Sequence, residues 1–406
     1  MALPHRARTI FQAVCEPAKN LGRRTTVLDT SANTGSPTDS VIHQLITATG
    51  TRVPDEVLAP FAAGVDNEQL LKLYQDMVVI RRIDFEATAL QRQGQLALWP
   101  PMLGQEAAQI GSVRALVAED FIFPTYRENG VAYCRGANLT GIMSTWRGSA
   151  NTGWDPHEIN MATPQIIIGA QTLHATGYAM GLTMEGKESL AIAYLGDGAT
   201  SQGDVHEAMV FAASFQAPVV FFCQNNHWAI SEPVGLQAHV PLAGRAPGYG
   251  IPSLRVDGND VLAVLAATQW AAARARSGGG PSFIEAVTYR MGPHTTADDP
   301  TRYRETSELE EWRGKDPIAR VRALLTNNGT LDAGAEAEVA AKADAVAAEL
   351  RAGCIGMPDP EPMTLFDNVY TGEHAILDRQ RDHYSRYLAG FAGAPAGNSS
   401  AEGKLS

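Results

Sequence analysis

Residues 190–226, LAIAYLGDGATSQGDVHEAMVFAASFQAPVVFFCQNN, decide the fold of this chain. Residues 190–195 and 218–223 are apolar runs of the length typical of buried strands. Between them, residues 203–215 carry apolar and small residues at helical spacing. A strand, a helix and a second strand at this length predict a right-handed crossover between two parallel strands. The carboxyl ends of both strands should therefore meet at one edge of a sheet.

Strand and helix patterns continue downstream of this unit. We expect strands at residues 253–256 and 282–287, with a helix at residues 260–276 between them. Residues 331–351 predict a solvated helix, and residues 375–388 predict another. Alternating strands and helices indicate an α/β fold with a mostly parallel sheet, helices on both faces and a helical C-terminal tail.

The upstream part of the chain has a helical character. Apolar residues at spacings of three and four predict a helix from Asp66 towards Gln93, and Gly104 opens the next helix. Residues 136–164 are rich in Gly, Asn, Trp and Thr without periodicity, which predicts an extended surface loop. Residues 165–181 are apolar and small, which predicts a buried helix.

The composition divides the chain into four parts. We expect residues 1–65 to form an N-terminal extension that is largely disordered. Its basic start lacks the apolar stretch of a secretory signal. An organelle transit peptide is the alternative interpretation of its arginines. Residues 66–320 predict one large α/β domain, residues 321–390 a helical C-terminal region and residues 391–406 a disordered tail.

The overall composition excludes several classes of protein. The 406 residues are 45% hydrophobic and carry a net charge of −12, which argues against wholesale disorder and against a general nucleic-acid binder. No apolar run approaches the roughly eighteen residues of a membrane span, so we expect no membrane partner. The four cysteines lie far apart without CxxC spacing, which suits a reducing compartment. We therefore expect a cytoplasmic protein.

Polar residues follow both strands of the crossover. Gly196-Asp197-Gly198 comes directly after the first strand, and Asn226 lies just beyond the second. The Asp carboxylate, the Asn carbonyl and a backbone carbonyl beyond it are the hard oxygen ligands that Mg²⁺ prefers, usually together with ligand phosphates. The backbone amides of Gly198 and Ala199, which lead into the helix, can face a diphosphate. The sequence therefore predicts a site for Mg²⁺ and a diphosphate at this edge.

These residues resemble a known family. The stretch from GDG to NN is similar to the thiamine-diphosphate-binding motif, and more narrowly to that of the α subunit of the decarboxylating component of 2-oxo acid dehydrogenases. The resemblance runs from about residue 66 to residue 317. Its further segments are LQRQGQLALWPPMLGQEAAQIG (90–111), FPTYRENGV (123–131), PQIIIGAQTLHATG (164–177) and YRMGPHTTADDPTRYR (289–304). It implies that residues 66–320 form a thiamine-diphosphate-binding fold.

The resemblance also implies a set of cofactor ligands. Asp197, the side chain of Asn226 and the backbone carbonyl of Trp228 would ligate Mg²⁺. Tyr126 and Arg127 would contact the diphosphate, and a guanidinium fork by itself suits phosphate oxygens.

Further roles follow from the same resemblance. Ile168 would wedge between the two cofactor rings and enforce their bent arrangement. His294 would contact the diphosphate and assist acyl transfer to a lipoyl group. A histidine beside a diphosphate should stay protonated more readily and act as a proton donor. Four residues would order the loop around His294 and help to receive the lipoyl domain: Arg290, Asp298, Tyr303 and Arg304.

Three positions bear on substrate and regulation. Gln224 stands where branched-chain mitochondrial relatives have an Arg that touches phosphate, so that contact should be absent or different here. Thr125 lies at a position that varies with substrate class and leaves the acyl preference open. Thr295 occupies the place of a regulatory serine, and the sequence leaves its phosphorylation open.

The implied activity is thiamine-diphosphate-dependent oxidative decarboxylation. The substrate would be a branched-chain 2-oxo acid (3-methyl-2-oxobutanoate) and/or pyruvate, with CO₂ released and the acyl group passed to the lipoyl domain of the transacylase. No Glu in the sequence matches the carboxylate that activates the cofactor, which the family carries on its β subunit. Single-chain relatives that fuse both halves are much longer, so we expect an α₂β₂ heterotetramer and no activity from this chain alone.

Other functions remain open at this stage. A pyruvate-specific dehydrogenase α subunit and an acetoin dehydrogenase α subunit share the motifs. A non-catalytic Mg-nucleotide-binding or scaffold protein could keep the fold. The intact set of Asp197, Asn226, Arg127 and His294 argues against that last class.

Overall fold

The computed structural model describes residues 41–391, except residues 151 and 368. Residues 1–40 and 392–406, which carry most of the predicted extension and tail, lie outside the described residues. Seven strands lie in the described part: β1 (Phe121–Phe123), β2 (Ala191–Gly196), β3 (Val219–Asn225), β4 (Trp228–Ala229), β5 (Glu232–Pro233), β6 (Ser253–Asp257) and β7 (Ser282–Val287). Five of them form a sheet in the order β1-β2-β3-β7-β6 with every neighbouring pair parallel, and β4 pairs antiparallel with β5.

Fourteen α-helices lie within the same described ranges. They are α1 (Ala59–Ala62), α2 (Asn67–Arg92), α3 (Glu106–Arg114), α4 (Asn129–Cys134), α5 (Leu139–Arg147), α6 (Pro156–Ile159), α7 (Ala170–Met184), α8 (Gly203–Phe215), α9 (Val234–Gln237), α10 (Val261–Arg276), α11 (Thr306–Arg313), α12 (Pro317–Asn327), α13 (Ala333–Gly356) and α14 (Ala375–Ala389). Short 3-10 turns occupy Gly198–Ser201, Leu242–Tyr249, Pro300–Arg302 and Pro362–Phe366. None of the helices in the described residues is long and apolar enough to cross a membrane.

The sheet is buried on both faces. Because successive side chains of a strand point to opposite faces, Ile192 and Tyr194 of β2 pack into one core while Ala193 and Leu195 pack into the other. Helix α10 covers the first face together with α3, and α7 and α8 cover the second. The predicted α/β fold with helices on both faces is confirmed.

The α/β domain begins before residue 66. Ile46 and Leu58 are fully buried in the main core. The backbone amides of Leu45 and Ile46 donate to a carboxylate oxygen of Asp260, the first at 2.7 Å, and Arg320 donates to the Ile46 carbonyl at 3.0 Å. Residues 41–65 are therefore part of the packed domain, and their assignment to a disordered extension was wrong.

One further local prediction was wrong. The supposed loop at 136–164 contains α5 and α6, because Leu139, Ile142, Met143 and Trp146 form a buried face at helical spacing. The helix predicted at 331–351 is confirmed as α13, but it is solvated on one side only, because its buried face packs against α2. The predicted crossover, the helix capped by Asp66, the strands of β6 and β7 and the last helix are confirmed.

Candidate active site

A pocket of about 260 Å³ lies at the carboxyl edge of the sheet, where β2 and β3 end side by side with Gly196 opposite Gln224. All the residues predicted to bind the cofactor or the metal line it: Tyr126, Arg127, Ile168, Gly196, Asp197, Gly198, Ala199, Asn226, Trp228 and His294. The other lining residues are Gln105, Thr125, Glu128, Gln165, Gly169, Gln171, Gln224, Ala229 and Ile230. The fold therefore brings together six separate parts of the sequence.

Asp197 presents a buried carboxylate to this pocket. The residue is 1% exposed, and its Oδ2 atom has no hydrogen-bond partner among the described residues. Burial raises its pKa to about 6, although backbone amides and the positive charges of Arg290 and Arg127 oppose that rise. An unpartnered buried carboxylate oxygen is unfavourable unless a ligand satisfies it, and a cation does so directly.

Two further oxygens accompany Asp197. Asn226 donates through Nδ2 to Gln105 Oε1 at 3.0 Å, and its Oδ1 accepts from the backbone amide of Trp228 at 3.2 Å. The Trp228 carbonyl oxygen accepts from Arg290 Nη1 at 2.9 Å. Its second lone pair remains available to a metal ion. Within the described residues no group of three or more His, Cys, Asp or Glu side chains forms a metal cluster. This donor set fits Mg²⁺, which rarely has an all-protein cage and takes phosphate oxygens as further ligands.

Gly198 allows the backbone to approach β4 closely after Asp197. A Cβ atom at this position would lie 2.6 Å from the Cβ of Ala229, so any side chain would push β4 away. The turn Gly198–Ser201 then leads into α8. Ala199 lies in this turn and lines the pocket, as expected for a backbone that faces a diphosphate.

Arg127 connects two walls of the pocket. Its guanidinium donates to the Pro101 carbonyl at 2.6 Å and to the His294 carbonyl at 3.0 Å. Its Nη2 also lies 3.3 Å from His294 Nδ1, and the Tyr126 ring meets the imidazole edge-on. Tyr126, Arg127 and His294, predicted from separate segments, therefore lie side by side.

His294 is neutral at pH 7 in this arrangement. Burial and the positive charges of Arg127 and Arg290 together lower the pKa of the imidazole to about 4, although the carboxylate of Asp298 opposes this shift. This differs from the expected protonated donor, because the nearest charges of the chain itself are positive. A neutral ring with Nδ1 facing Arg127 accepts there and keeps its proton on Nε2. A diphosphate beside the ring would oppose the shift.

The four predicted loop-ordering residues contact one another. Arg290 donates to Tyr303 Oη at 2.8 Å, and that hydroxyl donates to Asp298. The same Asp298 carboxylate accepts from the His294 backbone amide at 2.8 Å. Arg304 donates to the carbonyls of Arg290 and Met291. Because Arg290 is fully buried, its side chain orders the loop from beneath and offers no surface to a docking domain.

Ile168 lies on the pocket wall and belongs to an exposed apolar segment. The side chain is 40% exposed, and its neighbours Ile166 and Ile167 are more exposed still. Helix α7 begins only at Ala170, so residues 165–169 are not part of the predicted buried helix. The placement of Ile168 is compatible with contact to a bound cofactor, and its wedge role stays a prediction.

Sequence reasoning missed a buried network behind the pocket. Glu128 accepts from Gln224 Nε2 and from the amide and hydroxyl of Thr125, and burial raises the pKa of its carboxyl. Gln224, which replaces the expected Arg, therefore pairs with Glu128. Gln105 and Gln171 were also missed. Their only signal was their presence in the quoted segments 90–111 and 164–177.

Comparisons with known proteins identify the family of this chain. The family model described as "Dehydrogenase E1 component" matches residues 74–352. The 3-methyl-2-oxobutanoate dehydrogenase subunit alpha of Mycobacterium tuberculosis is 49% identical over 323 residues, 79% of this chain and 88% of that protein. The pyruvate dehydrogenase E1 component subunit alpha of Staphylococcus aureus is 46% identical over 300 residues, 73% of this chain and 80% of that protein. This chain belongs to the dehydrogenase E1 component family.

Proposed function

We propose that this chain is the α subunit of the decarboxylating component of a 2-oxo acid dehydrogenase complex. Its substrate is a branched-chain 2-oxo acid (3-methyl-2-oxobutanoate) and/or pyruvate, as the names of its two relatives suggest. The observation that carries the proposal is the unpartnered carboxylate oxygen of Asp197, beside Asn226 and in one pocket with Arg127 and His294.

The proposed cofactors are thiamine diphosphate and Mg²⁺. Asp197, the Asn226 side chain and the Trp228 carbonyl would hold the metal, because these oxygens lie at the ends of β2 and β3. Tyr126 and Arg127 would bind the diphosphate from the opposite wall. Thiamine diphosphate supplies the stabilisation of the carbanion that decarboxylation leaves.

The chain's own residues would anchor and orient the cofactor. Arg127, fixed by the Pro101 and His294 carbonyls, presents positive charge to phosphate oxygens with little freedom left to lose. His294 would hold a proton at Nε2 and direct it to the diphosphate or to the acyl acceptor. Asp298 and Tyr303 keep the His294 backbone in place for that contact.

A β subunit would complete the site. Of the described residues, Asp197 and Glu128 bring carboxyl groups to the pocket wall. Asp197 is the proposed metal ligand, and Glu128 is already engaged by Thr125 and Gln224. A further carboxylate for cofactor activation must therefore come from elsewhere, and both relatives are named alpha subunits. We infer an α₂β₂ assembly that delivers the acyl group to the lipoyl domain of a transacylase.

The test is co-expression with a β subunit gene adjacent on the genome. We expect CO₂ release and acyl-lipoyl formation from 3-methyl-2-oxobutanoate or pyruvate only when both subunits, thiamine diphosphate and Mg²⁺ are present. The ratio of kcat/KM for these two acids assigns the preference, and acetoin serves as the third substrate. Robust turnover by the chain alone would refute the two-subunit proposal. Turnover of acetoin but of neither acid would refute the proposed substrate class.

A further inference from the structure

Gln105 contacts a proposed metal ligand from the far wall of the pocket. The residue is fully buried, and its Oε1 atom accepts from Asn226 Nδ2 at 3.0 Å, although 121 residues separate the two. Its own Nε2 atom is also buried and has no partner among the residues that the structure describes. The Oε1 atom of Gln105 is thus hydrogen-bonded to Asn226, while its Nε2 atom can still donate to a ligand in the pocket.

The orientation of the Asn226 amide decides whether it can bind a metal. The oxygen and nitrogen of a primary amide are nearly the same size, but only the oxygen is a ligand for Mg²⁺. In the observed orientation, Nδ2 donates to Gln105 and Oδ1 accepts from the Trp228 amide. A flipped amide would face Oδ1 towards the Gln105 oxygen and Nδ2 towards the Trp228 N–H, so both contacts would become repulsive.

The backbone holds Gln105 in place. Gly104 has a φ of +94°, and a Cβ there would lie 2.3 Å from the Tyr289 carbonyl oxygen. The Gly104 carbonyl accepts from Thr288 Oγ1 at 2.8 Å, and its amide donates to Glu106 at 3.0 Å. Gln105 is therefore fixed between two anchored neighbours, directly before α3.

We propose that Gln105 is a positioning residue that keeps the carbonyl oxygen of Asn226 turned towards the metal ion. This inference rests on the proposed function, because it needs Mg²⁺ at Asp197 and Asn226. The free Nε2 of Gln105 can donate to an oxygen of the bound cofactor. That contact fixes the Gln105 amide in the orientation that accepts from Asn226.

The test measures Mg²⁺ affinity of the chain assembled with its β subunit, by calorimetry with thiamine diphosphate at saturation. Gln105→Met removes the acceptor at similar volume and should weaken Mg²⁺ binding about tenfold, the size typical for partners of metal ligands. Asn226→Asp places two equivalent oxygens at the ligand position, so its orientation no longer matters. Gln105→Met should then change the affinity by less than about twofold in that background.

The two backgrounds separate positioning from general damage. If Gln105→Met lowers Mg²⁺ affinity tenfold in both the wild-type and the Asn226→Asp background, the inference is overturned. It is also overturned if Gln105→Met causes no loss of affinity in the wild-type background. Gln105→Glu keeps an acceptor for Asn226 but loses the donor, so it should lose less Mg²⁺ affinity than the tenfold expected for Gln105→Met, and a loss of tenfold or more contradicts the proposal even where Gln105→Met fails to fold. If the wild-type assembly binds no Mg²⁺, the proposed function fails and this inference fails with it. If the wild type binds and Gln105→Met binds equally well, only the inference fails.

Discussion

At the scale of single residues, the site consists of polar groups whose interactions are incomplete within the chain. Four atoms of residues that line this pocket are buried without partners among the described residues: Asp197 Oδ2, Gln105 Nε2, Gln171 Oε1 and Gln224 Oε1. Native proteins leave few such atoms, because each costs about 1–3 kcal/mol. Their clustering in one place is therefore a property of a binding site and not of a core.

Asp197→Asn tests this residue-scale conclusion. The substitution removes a buried negative charge that the chain leaves unpaired, so the unliganded chain should become more stable by about 1–2 kcal/mol. The same change should abolish Mg²⁺-dependent binding of thiamine diphosphate, because the carboxylate is the only charged ligand proposed. Chemical denaturation and calorimetry measure the two effects. Unchanged cofactor binding would disprove the metal site.

His294 should make the stability of the chain depend on pH. Its pKa of about 4 in the folded chain lies below the ordinary value of 6.5, so the unfolded chain binds the proton more readily between these values. Stability should therefore fall as the pH falls from about 6.5 to about 4. The ring is partly exposed, so solvent screening reduces this effect. Between pH 7 and pH 5, the free energy of unfolding should fall by about 1 kcal/mol less in His294→Gln than in the wild type.

Denaturant unfolding at the two pH values checks this prediction. The matched control is His239→Gln, which replaces an exposed histidine and should leave the pH dependence of the wild type intact. Equal losses in His294→Gln and His239→Gln would show that the environment of His294 does not disfavour its charged form.

At the scale of elements, the strands and helices that depend on one short hydrophobic pattern were predictable from the sequence. The crossover of β2, α8 and β3 was predictable because both strands are continuous apolar runs and the helix has one apolar face. Helix α5 was missed because Gly, Asn and Thr dominate its surroundings. Its signals were present, since Asn138 caps the start through its side chain and Gly148 ends it in the left-handed conformation.

The segment Trp99–Leu103 connects α2 to the pocket. Asp84 of α2 accepts from Trp99 Nε1 at 2.7 Å and from the Met102 and Leu103 amides at 3.0 Å each. Between them, Pro101 offers the carbonyl that holds Arg127. Asp84→Ala leaves three buried donors unpaired and should lower the free energy of unfolding by about 3–5 kcal/mol. Diphosphate affinity should fall about tenfold, because the segment that carries the Pro101 carbonyl, one of the two anchors of Arg127, is no longer held in place.

The control for Asp84→Ala lies on the same helix. Glu68 pairs with Lys72 on the surface at 2.8 Å, so Glu68→Ala should cost less than about 1 kcal/mol and leave diphosphate affinity unchanged. Denaturant unfolding and calorimetry with thiamine diphosphate compare the two variants. Similar effects in both would contradict a specific role of Asp84.

At the scale of the whole molecule, the sequence identified the segments of the site but not the contacts between them. Asp197 and Asn226 were predictable together because parallel strands end at the same edge. The pairing of Gln105 with Asn226 was not, since the two residues lie 121 positions apart and no local pattern records their contact. The low pKa of His294 likewise arises from its burial in the fold and from the charge of Arg127 on another segment, with a further contribution from Arg290.

The proposed β subunit would reach the pocket along a surface of this chain. Ile168 lines the pocket and is partly exposed, and Ile167 beside it is 72% exposed. Phe211 and Phe215 of α8, which packs against α7, also expose apolar rings. Exposed apolar side chains beside a pocket are typical of a protein interface. We therefore expect this surface to bind the β subunit.

Ile167→Asp should prevent assembly with a co-expressed β subunit, because it places a charge at the apolar interface beside the pocket. The chain itself should keep its fold, since the replaced side chain is exposed. Light scattering on the co-purified subunits measures the assembly, and circular dichroism checks the fold. Val117→Asp is the matched control: Val117 is also exposed, but it precedes β1 at the amino edge of the sheet, opposite the pocket. Assembly that survives Ile167→Asp as well as Val117→Asp would place the β subunit on another surface.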